Sequence, residues 1–471
     1  MTGRVPLKNP KIKYQFSIKS TDELDQLSHE ELLRYIKDLQ KNLVREAPPK
    51  HSGNSSIPTS KEIVPPKKKK KNQSLRKQGG KNGGQLGHVG VTLRQTQTPD
   101  EIKRIPYTLT ACHQCGADLS DTLAELKEKR QVLDLDLRRT NQKITQYQSY
   151  TKICPVCGAS NHDNAFPQEV SPNISYGENT LALVNYLSVV HYLSYARIVQ
   201  ALETLYGLHL SEGTVDSLIK KGGKRSQVAL EHITAQLTQS PVLGIDETGA
   251  RVNGHRNWHW VFQDARNTLI VHNVSRGAGV INETFPDGFK QSIVGHDNFS
   301  AYTQLESKGE QLCLAHKLRD LNYAIECEDT SVMKAIKTLL QEAMADHKLT
   351  LSPPERIHLK AQYEESLNHL LAQPAEPGSQ TARQIASFTK AKEKIFTFLL
   401  DPAIPPDNNG SERAIRNIKV KTKVSGQFKS PQGADDYAAL RSIIDTARKR
   451  GMNEFDVLRD IAGGKRVFGV G

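Results

Sequence analysis

The chain has 471 residues, 37% of them hydrophobic and 24% charged, with a mean hydropathy of −0.54 and 64 Lys and Arg against 51 Asp and Glu, a formal net charge of +13. That length predicts two or more domains, and the composition excludes an integral membrane protein. Its longest apolar stretch, Leu181 to Leu193, is interrupted by Asn185, Ser188 and His191, and the N-terminus lacks the apolar segment of a signal peptide, so a cytoplasmic protein is expected. Six cysteines, four of them in two CxxC pairs, are too few and too patterned for a disulfide scaffold and point instead to thiolate metal binding.

The charge is uneven. Residues 1 to 110 hold 22 Lys and Arg against 10 Asp and Glu, whereas the remaining residues are nearly neutral. This predicts a basic arm that meets nucleic acid, with a solubilising linker as the alternative. No carboxylate occurs from Ile63 to Pro99, where Lys67, Lys68, Lys69, Lys70, Lys71, Arg76 and Lys77 would neutralise phosphates through counterion release, without reading sequence.

Residues 21 to 45 read as one helix, with Leu32, Ile36, Leu39 and Leu43 on a seam that suits a short dimerising coiled coil or an amphipathic helix packed on its own domain. Residues 46 to 106 lack periodicity and are rich in Lys, Pro, Ser and Gly, as in a flexible linker. Their glycines do not have the spacing of a phosphate loop. Cys112 and Cys115, then Cys154 and Cys157, form two knuckles that together offer the four soft ligands preferred by one tetrahedral zinc ion; reduced surface cysteines are the alternative.

Residues 178 to 225 predict three short helices, Glu178 to Tyr192, Tyr195 to Tyr206 and a third capped by Ser211, a pattern shared by helix-turn-helix units and by plain helical bundles. From Val242 the period changes to that of strands. Val242 to Thr248 is followed by Arg251 and Val252 facing Trp258 to Phe262 across an Asn253-Gly254 turn, then by Thr268 to Val274. A helix near Ala278 to Phe285 leads to a strand Ser292 to His296. This is the opening order of an RNase H-like fold.

Asp246 stands in the first of these strands and Asp297 follows the last. A carboxylate on a buried strand is costly unless it binds metal or is otherwise paired, although either residue alone also reads as a cap or turn aspartate. A third carboxylate, Glu412, lies in Asp407-Asn408-Asn409-Gly410-Ser411-Glu412-Arg413-Ala414-Ile415-Arg416, where Asn408, Glu412 and Arg416 share a helical face. Taken alone, Glu412 and Arg416 would be a surface ion pair.

These segments resemble the DDE transposases of the insertion sequence 66 family. The resemblance rests on Gly83-Gly84-Gln85-Leu86-Gly87-His88-Val89-Gly90, the double CxxC, Gly244-Ile245-Asp246-Glu247-Thr248, Ser275-Arg276-Gly277, Asp297-Asn298-Phe299-Ser300-Ala301-Tyr302 and the Glu412 segment. It implies that Asp246, Asp297 and Glu412 form the catalytic triad and hold two Mg²⁺ (or Mn²⁺) ions. Cys313 and His316, with Arg319, resemble the CxxH motif of that family and are expected to support the triad rather than bind metal. Two departures stand out. Leu314 occupies a position where tryptophan is expected, and Lys419, Lys421 and Lys423 replace a proline and an Arg-Lys-Asn stretch. These lysines, with Arg413 and Arg416, are expected to hold phosphates, or else form a solvated basic face.

The expected architecture is an α/β protein: an RNase H-like catalytic core with a helical insertion, preceded by a helical segment, a zinc finger and a basic N-terminal arm. The boundaries read as 1–45 (helix), 46–106 (linker), 107–170 (zinc finger), 171–238 (helical), 239–425 (catalytic, with the insertion at about 331–400) and 426–471 (C-terminal helices). The implied activity is cleavage at the ends of an insertion sequence and joining of the 3′-hydroxyls to target DNA by two-metal-ion chemistry. A non-catalytic DNA-binding relative and a nuclease that does not join are the alternatives. The expected partners are DNA, a second copy of the chain in a dimer or higher oligomer, and accessory proteins encoded by the same element.

Overall fold

The computed structural model describes residues 176–302 and 305–469, together with 12–14, 19, 21–45, 50, 51, 53, 54, 97, 98, 115, 118, 120, 121, 151–153 and 160–162. The chain divides into two units, residues 1–67 with 144–471, and residues 68–143. In the latter, Ser120 donates from its backbone N–H and its hydroxyl to Asp118 Oδ1, at 2.9 and 2.6 Å, and Cys115 is exposed. Cys112, Cys154, Cys157, Arg76, Lys77 and the lysines at 67–71 lie outside the described residues.

In the larger unit the N-terminal segment departs from the single helix expected over 21–45. It forms α1 (Thr21–Asp25) and α2 (His29–Asn42), and its last residues form β2 (Leu43–Arg45), paired antiparallel with β1 (Ile12–Tyr14). The break is a capping box: Ser28 N–H donates to Glu31 Oε2 at 2.9 Å, and Glu31 N–H donates to Ser28 Oγ at 3.4 Å. Leu43 therefore leaves the seam, and Ile36 is exposed. Further on, β3 (Thr151–Ile153) and β4 (Ser160–His162) form an antiparallel hairpin.

Ahead of the main sheet come α3 (Glu178–Val189), α4 (Tyr195–Tyr206), α5 (Glu212–Arg225) and α6 (Gln227–Thr238). Ser211 caps α5 as expected, accepting from Thr214 N–H at 3.0 Å. The sheet has the order β7-β6-β5-β8-β9, built from β5 (Val242–Val252), β6 (His255–Gln263), β7 (Thr268–Asn273), β8 (Phe289–His296) and β9 (Ser307–Leu312). The β5–β6 and β6–β7 pairs are antiparallel, whereas β5–β8 and β8–β9 are parallel. At the β5–β6 turn Asn253 and Gly254 have φ of 47° and 79°, the left-handed values that a two-residue turn of this hand requires. The short helix α7 (Gly279–Thr284) packs beside the sheet through Phe285, whose ring centroid lies 4.9 Å from that of Phe262 and 4.8 Å from that of Phe289.

After β9 come α8 (Leu314–Glu328), α9 (Ser331–Asp346), α10 (Pro353–Leu371) and α11 (Gln380–Ala391). They enclose their own core around Leu321, Met333, Ile336, Leu340, Phe388 and Phe396. Ser352 and Glu355 form a second capping box at Pro353, so the proline pair that interrupts the helical pattern starts α10. The chain then returns to the sheet with α12 (Asn409–Ser425), α13 (Pro431–Lys449) and α14 (Glu454–Ala462). α13 lies along the outer strand β7, where Thr446 Oγ1 and Ser442 Oγ accept from the Thr268 and Ile270 N–H groups at 3.0 and 2.8 Å. Those hydroxyls satisfy donors that an open sheet edge would expose. Among the described residues no helix is long and apolar enough to cross a membrane.

Candidate active site

The sheet register places two of the three expected carboxylates. Gly244 of β5 pairs with Gly295 of β8 in a parallel ladder, and Asp246 and Asp297 each stand two residues further on. A Cβ on Gly244 would point at α12, 2.6 Å from Asn408 Oδ1 and 2.9 Å from Ser411 Oγ, so the face of β5 shared by Gly244 and Asp246 is the one α12 covers. Glu412 lies in the first turn of that helix. The end of the β5–β8 ladder and the start of α12 thus bring the positions of all three carboxylates to one end of the sheet.

Their electrostatics show the proximity. The Asp246 pKa is raised well above the ordinary carboxylate value, first by burial, then by the negative charges of Asp297 and Glu247, with Glu412 adding to them. The Glu247 N–H, which donates to Asp246 Oδ1 at 2.9 Å, works in the opposite direction. Burial and neighbouring like charge of this kind disfavour the anion, and a bound cation would offset both. Three hard carboxylate oxygen donors of this kind suit Mg²⁺ or Mn²⁺.

Local bonding fixes each acid. Asp297 Oδ1 accepts from Phe299 N–H at 3.0 Å, and Asn298 between them has φ 71°, which turns the chain sharply out of β8. The same turn brings Asn298 N–H to His296 Nδ1 at 3.1 Å, so His296 donates from Nε2 to Glu310 on β9, at 2.7 Å. Glu310 is held below its ordinary pKa: burial opposes ionisation, but the His296 and Lys394 bonds outweigh it. Glu412 pairs with Arg319 of α8 at 3.3 Å, so among the described ion pairs its partner is Arg319 and not Arg416. Asn408 anchors the start of α12: its Nδ2 donates to Ile245 C=O at 2.6 Å, its N–H to Cys313 Sγ at 3.2 Å, and its Oδ1 accepts from Ser411 Oγ at 2.7 Å.

Cys313 and His316 adjoin this centre, and their donor atoms with that of Glu412 all lie within 4.8 Å of one another. Burial pushes the Cys313 thiol up to about 11 against the backbone N–H groups around it. His316 has its pKa lowered by burial and then by Arg319, opposed by Asp297 and Glu412, which places the ring beside both acids. Of the expected phosphate-holding residues, Arg413, Arg416, Lys419 and Lys423 are exposed on α12. Lys421 is half-buried, and burial lowers its pKa.

One network carries no role in the sequence reading. Glu247, whose side chain is 1% exposed, accepts from Arg276 Nε and Nη2 at 2.9 and 2.7 Å and from the Tyr302 hydroxyl. It ties together the three motif segments around Asp246, Arg276 and Asp297. The signal in sequence was the motifs themselves; their convergence required the fold.

The family model described as Transposase IS66 family matches residues 173–436, more than half of the chain. The chain belongs to the IS66 transposase family. No curated protein matches it. Membership of this transposase family makes DNA the partner and DNA processing the activity class, and the match takes in the whole five-stranded sheet, all three carboxylates and the described helices between them.

Proposed function

We propose that this IS66-family chain is a DDE transposase that cleaves phosphodiester bonds at the ends of its element and joins the freed 3′-hydroxyls to target DNA. The observation that carries this reading is the register pair Gly244–Gly295, which sets Asp246 and Asp297 side by side, with Glu412 near enough to act on the Asp246 charge. Strand order β7-β6-β5-β8-β9, with three antiparallel strands followed by two parallel ones, supports an RNase H-like core into which α8–α11 are inserted.

Asp246, Asp297 and Glu412 would hold the two divalent ions, whose chemistry is to activate the attacking water or 3′-hydroxyl and to stabilise the leaving oxygen. Arg319 holds Glu412 in place through the ion pair, and the Asp297 carboxylate is oriented by Phe299 N–H. Arg413, Arg416, Lys419 and Lys423 sit on the same helix as Glu412 and would hold flanking phosphates. The basic stretch at Lys67–Lys71, Arg76 and Lys77 would add non-specific DNA affinity, and Cys112, Cys115, Cys154 and Cys157 a structural zinc. Pairing of two element ends calls for a dimer or higher oligomer, with accessory proteins where the element encodes them.

The test is Mg²⁺-dependent 3′-end cleavage and strand joining of the element's terminal DNA by the full chain and by Asp297→Ala. Joining that disappears in the variant while DNA binding persists establishes the reading. Cutting without joining identifies a nuclease, and binding with neither, with accessory proteins supplied, identifies a regulatory DNA-binding relative.

A further inference from the structure

A ladder of stacked side chains leads away from the carboxylates on the face of β5 opposite α12. Phe299, whose N–H holds Asp297, lies under the Arg276 guanidinium, 3.8 Å from its ring centroid. Arg276 and Arg256 each lie 4.6 Å from the Trp258 ring centroid. Arg276 is already neutralised by Glu247, whereas Arg256 and its cross-strand neighbour Arg251 are exposed and in no ion pair among the described residues. Gly249 is the register partner of Trp258, and a Cβ there would stand in ordinary contact with Arg256 at 3.4 Å and with Trp258 at 3.6 Å. Beside it, Arg251, Arg256 and Lys419 line a cleft of about 390 Å³ at the hairpin end.

We propose that this surface binds single-stranded DNA leading to or from the reacting phosphate, with one unpaired base stacked on Trp258 in the place of Arg256 and the adjoining phosphates on Arg256 and Arg251. The proposal rests on the reading of Asp246, Asp297 and Glu412 as the catalytic centre. Charge complementarity selects a polyanion. The indole selects one with free base faces, because an exposed cation–π contact is weak and base–aromatic stacking is stronger, so a base displaces the guanidinium toward a phosphate. A fully paired duplex keeps its bases stacked inside and gains nothing from Trp258. Arg276, the other cation on Trp258, is held by two hydrogen bonds to Glu247 and stacks on Phe299, which links the indole to the residue that holds Asp297.

The chain has two tryptophans, and Trp260 is fully buried with its Nε1–H donating to Ser275 C=O, so Trp258 is a natural reporter. The experiment uses the full chain without added Mg²⁺. It compares a blunt terminal duplex with the same duplex carrying a single-stranded tail, by fluorescence anisotropy of labelled DNA and by tryptophan quenching. Tailed DNA should bind more tightly than blunt DNA and quench the fluorescence. Trp258→Ala and Arg256→Ala should lose at least about fivefold in affinity for tailed DNA with little change for blunt DNA. Trp258→Phe keeps a stacking ring, so it should retain most of the affinity while showing no quench. It also guards against misfolding of the alanine variant.

Equal loss for both DNAs, or a quench that survives in Trp258→Phe, overturns the proposal. Asp297→Ala should quench as the parent does. Tail preference and quenching in a protein that neither cuts nor joins would sink the catalytic reading and leave this surface standing. Cutting without tail preference would do the reverse.

Discussion

Asp246 and Asp297 stand at equal distances beyond one glycine pair, Gly244 and Gly295, so the parallel seam between β5 and β8 is the ruler that aligns two acids 51 positions apart. Glycine on the β5 side leaves room for side chains of Gln263 and α12. A Cβ at Gly244 would approach Gln263 Nε2 at 2.5 Å as well as Asn408 and Ser411, and one at Gly410 would meet the same Gln263 nitrogen at 2.6 Å. Gly244→Ala should therefore cost about 1–3 kcal/mol of stability through overpacking and push the Glu412 helix off the strand. Thermal denaturation and the joining rate read the two effects. A variant with unchanged stability and rate would show that α12 has slack at this point.

Ionised Asp246 is expected to cost the metal-free fold stability. Its raised pKa, caused by burial and then by Asp297 and Glu247, means that the folded chain binds its proton more tightly than the unfolded chain does. Stability from this group is present below the unfolded value near 3.8 and is lost as pH rises through the folded pKa. At neutral pH Asp246→Asn should raise the metal-free melting temperature, on the scale of about 1–3 kcal/mol for an uncompensated buried polar group, while abolishing cleavage. Mg²⁺ should raise the melting temperature of the parent and much less that of the variant. Equal metal responses would remove Asp246 from the metal site.

Glu247 sits one residue from Asp246 yet points to the opposite face, where Arg276 and Tyr302 meet it. Glu247→Gln keeps the shape and one acceptor for Tyr302 but breaks the charge clamp on Arg276. Because Arg276 is 41% exposed, water compensates its charge, and stability should change by less than about 1 kcal/mol. With Arg276 released, its stacking on Phe299, whose N–H holds Asp297, loosens, so the joining rate at saturating DNA should fall about tenfold with DNA affinity unchanged, equivalent to about 1.4 kcal/mol in the barrier. A rate equal to the parent's would reduce the network to a packing role.

Much of the centre was legible because it is written in local patterns. The alternation around Val242 to Thr248, the Asn253-Gly254 turn and the Ser211 cap each depend on neighbours in sequence, and each element is present. β9 was missed because Ser307 to Leu312 reads Ser-Lys-Gly-Glu-Gln-Leu, a polar outer strand held by the parallel ladder to β8 and by Glu310 bonds, with no apolar alternation to reveal it. The single helix expected over 21–45 failed for a different reason: apolar spacing continued through a Ser28–Glu31 capping box that restarts the helix. The alternative reading of Glu412 and Arg416 as an i,i+4 surface pair does not hold among the described ion pairs, because Glu412 pairs with Arg319 on α8, a tertiary contact with no local signature. The Glu247–Arg276–Tyr302 clamp joins residues 55 positions apart and had no local signature.

His259 gives the fold an acid limit. Its side chain is fully buried on β6, between Phe428 and His272 with ring centroids 5.2 and 5.3 Å away, and neither ring nitrogen has a hydrogen-bond partner among the described residues. Burial first, then the charges of His272 and Lys419, lower its pKa from 6.5 to about 3. The folded value lies below the unfolded one, so the unfolded chain takes up the proton first. The contribution is complete above pH 6.5, declines as pH falls, and is gone near pH 3. Over that window the slope attributable to His259 approaches about 1.4 kcal/mol per pH unit. Carboxylates titrate in the same range, so the informative quantity is the difference between parent and His259→Leu in denaturant unfolding at pH 7.5, 6 and 5. The leucine fills the apolar slot without a protonation site, and its stability should fall less steeply with acid than that of the parent. Parallel pH profiles in the two proteins would show that His259 is protonated in the folded state or hydrated in solution.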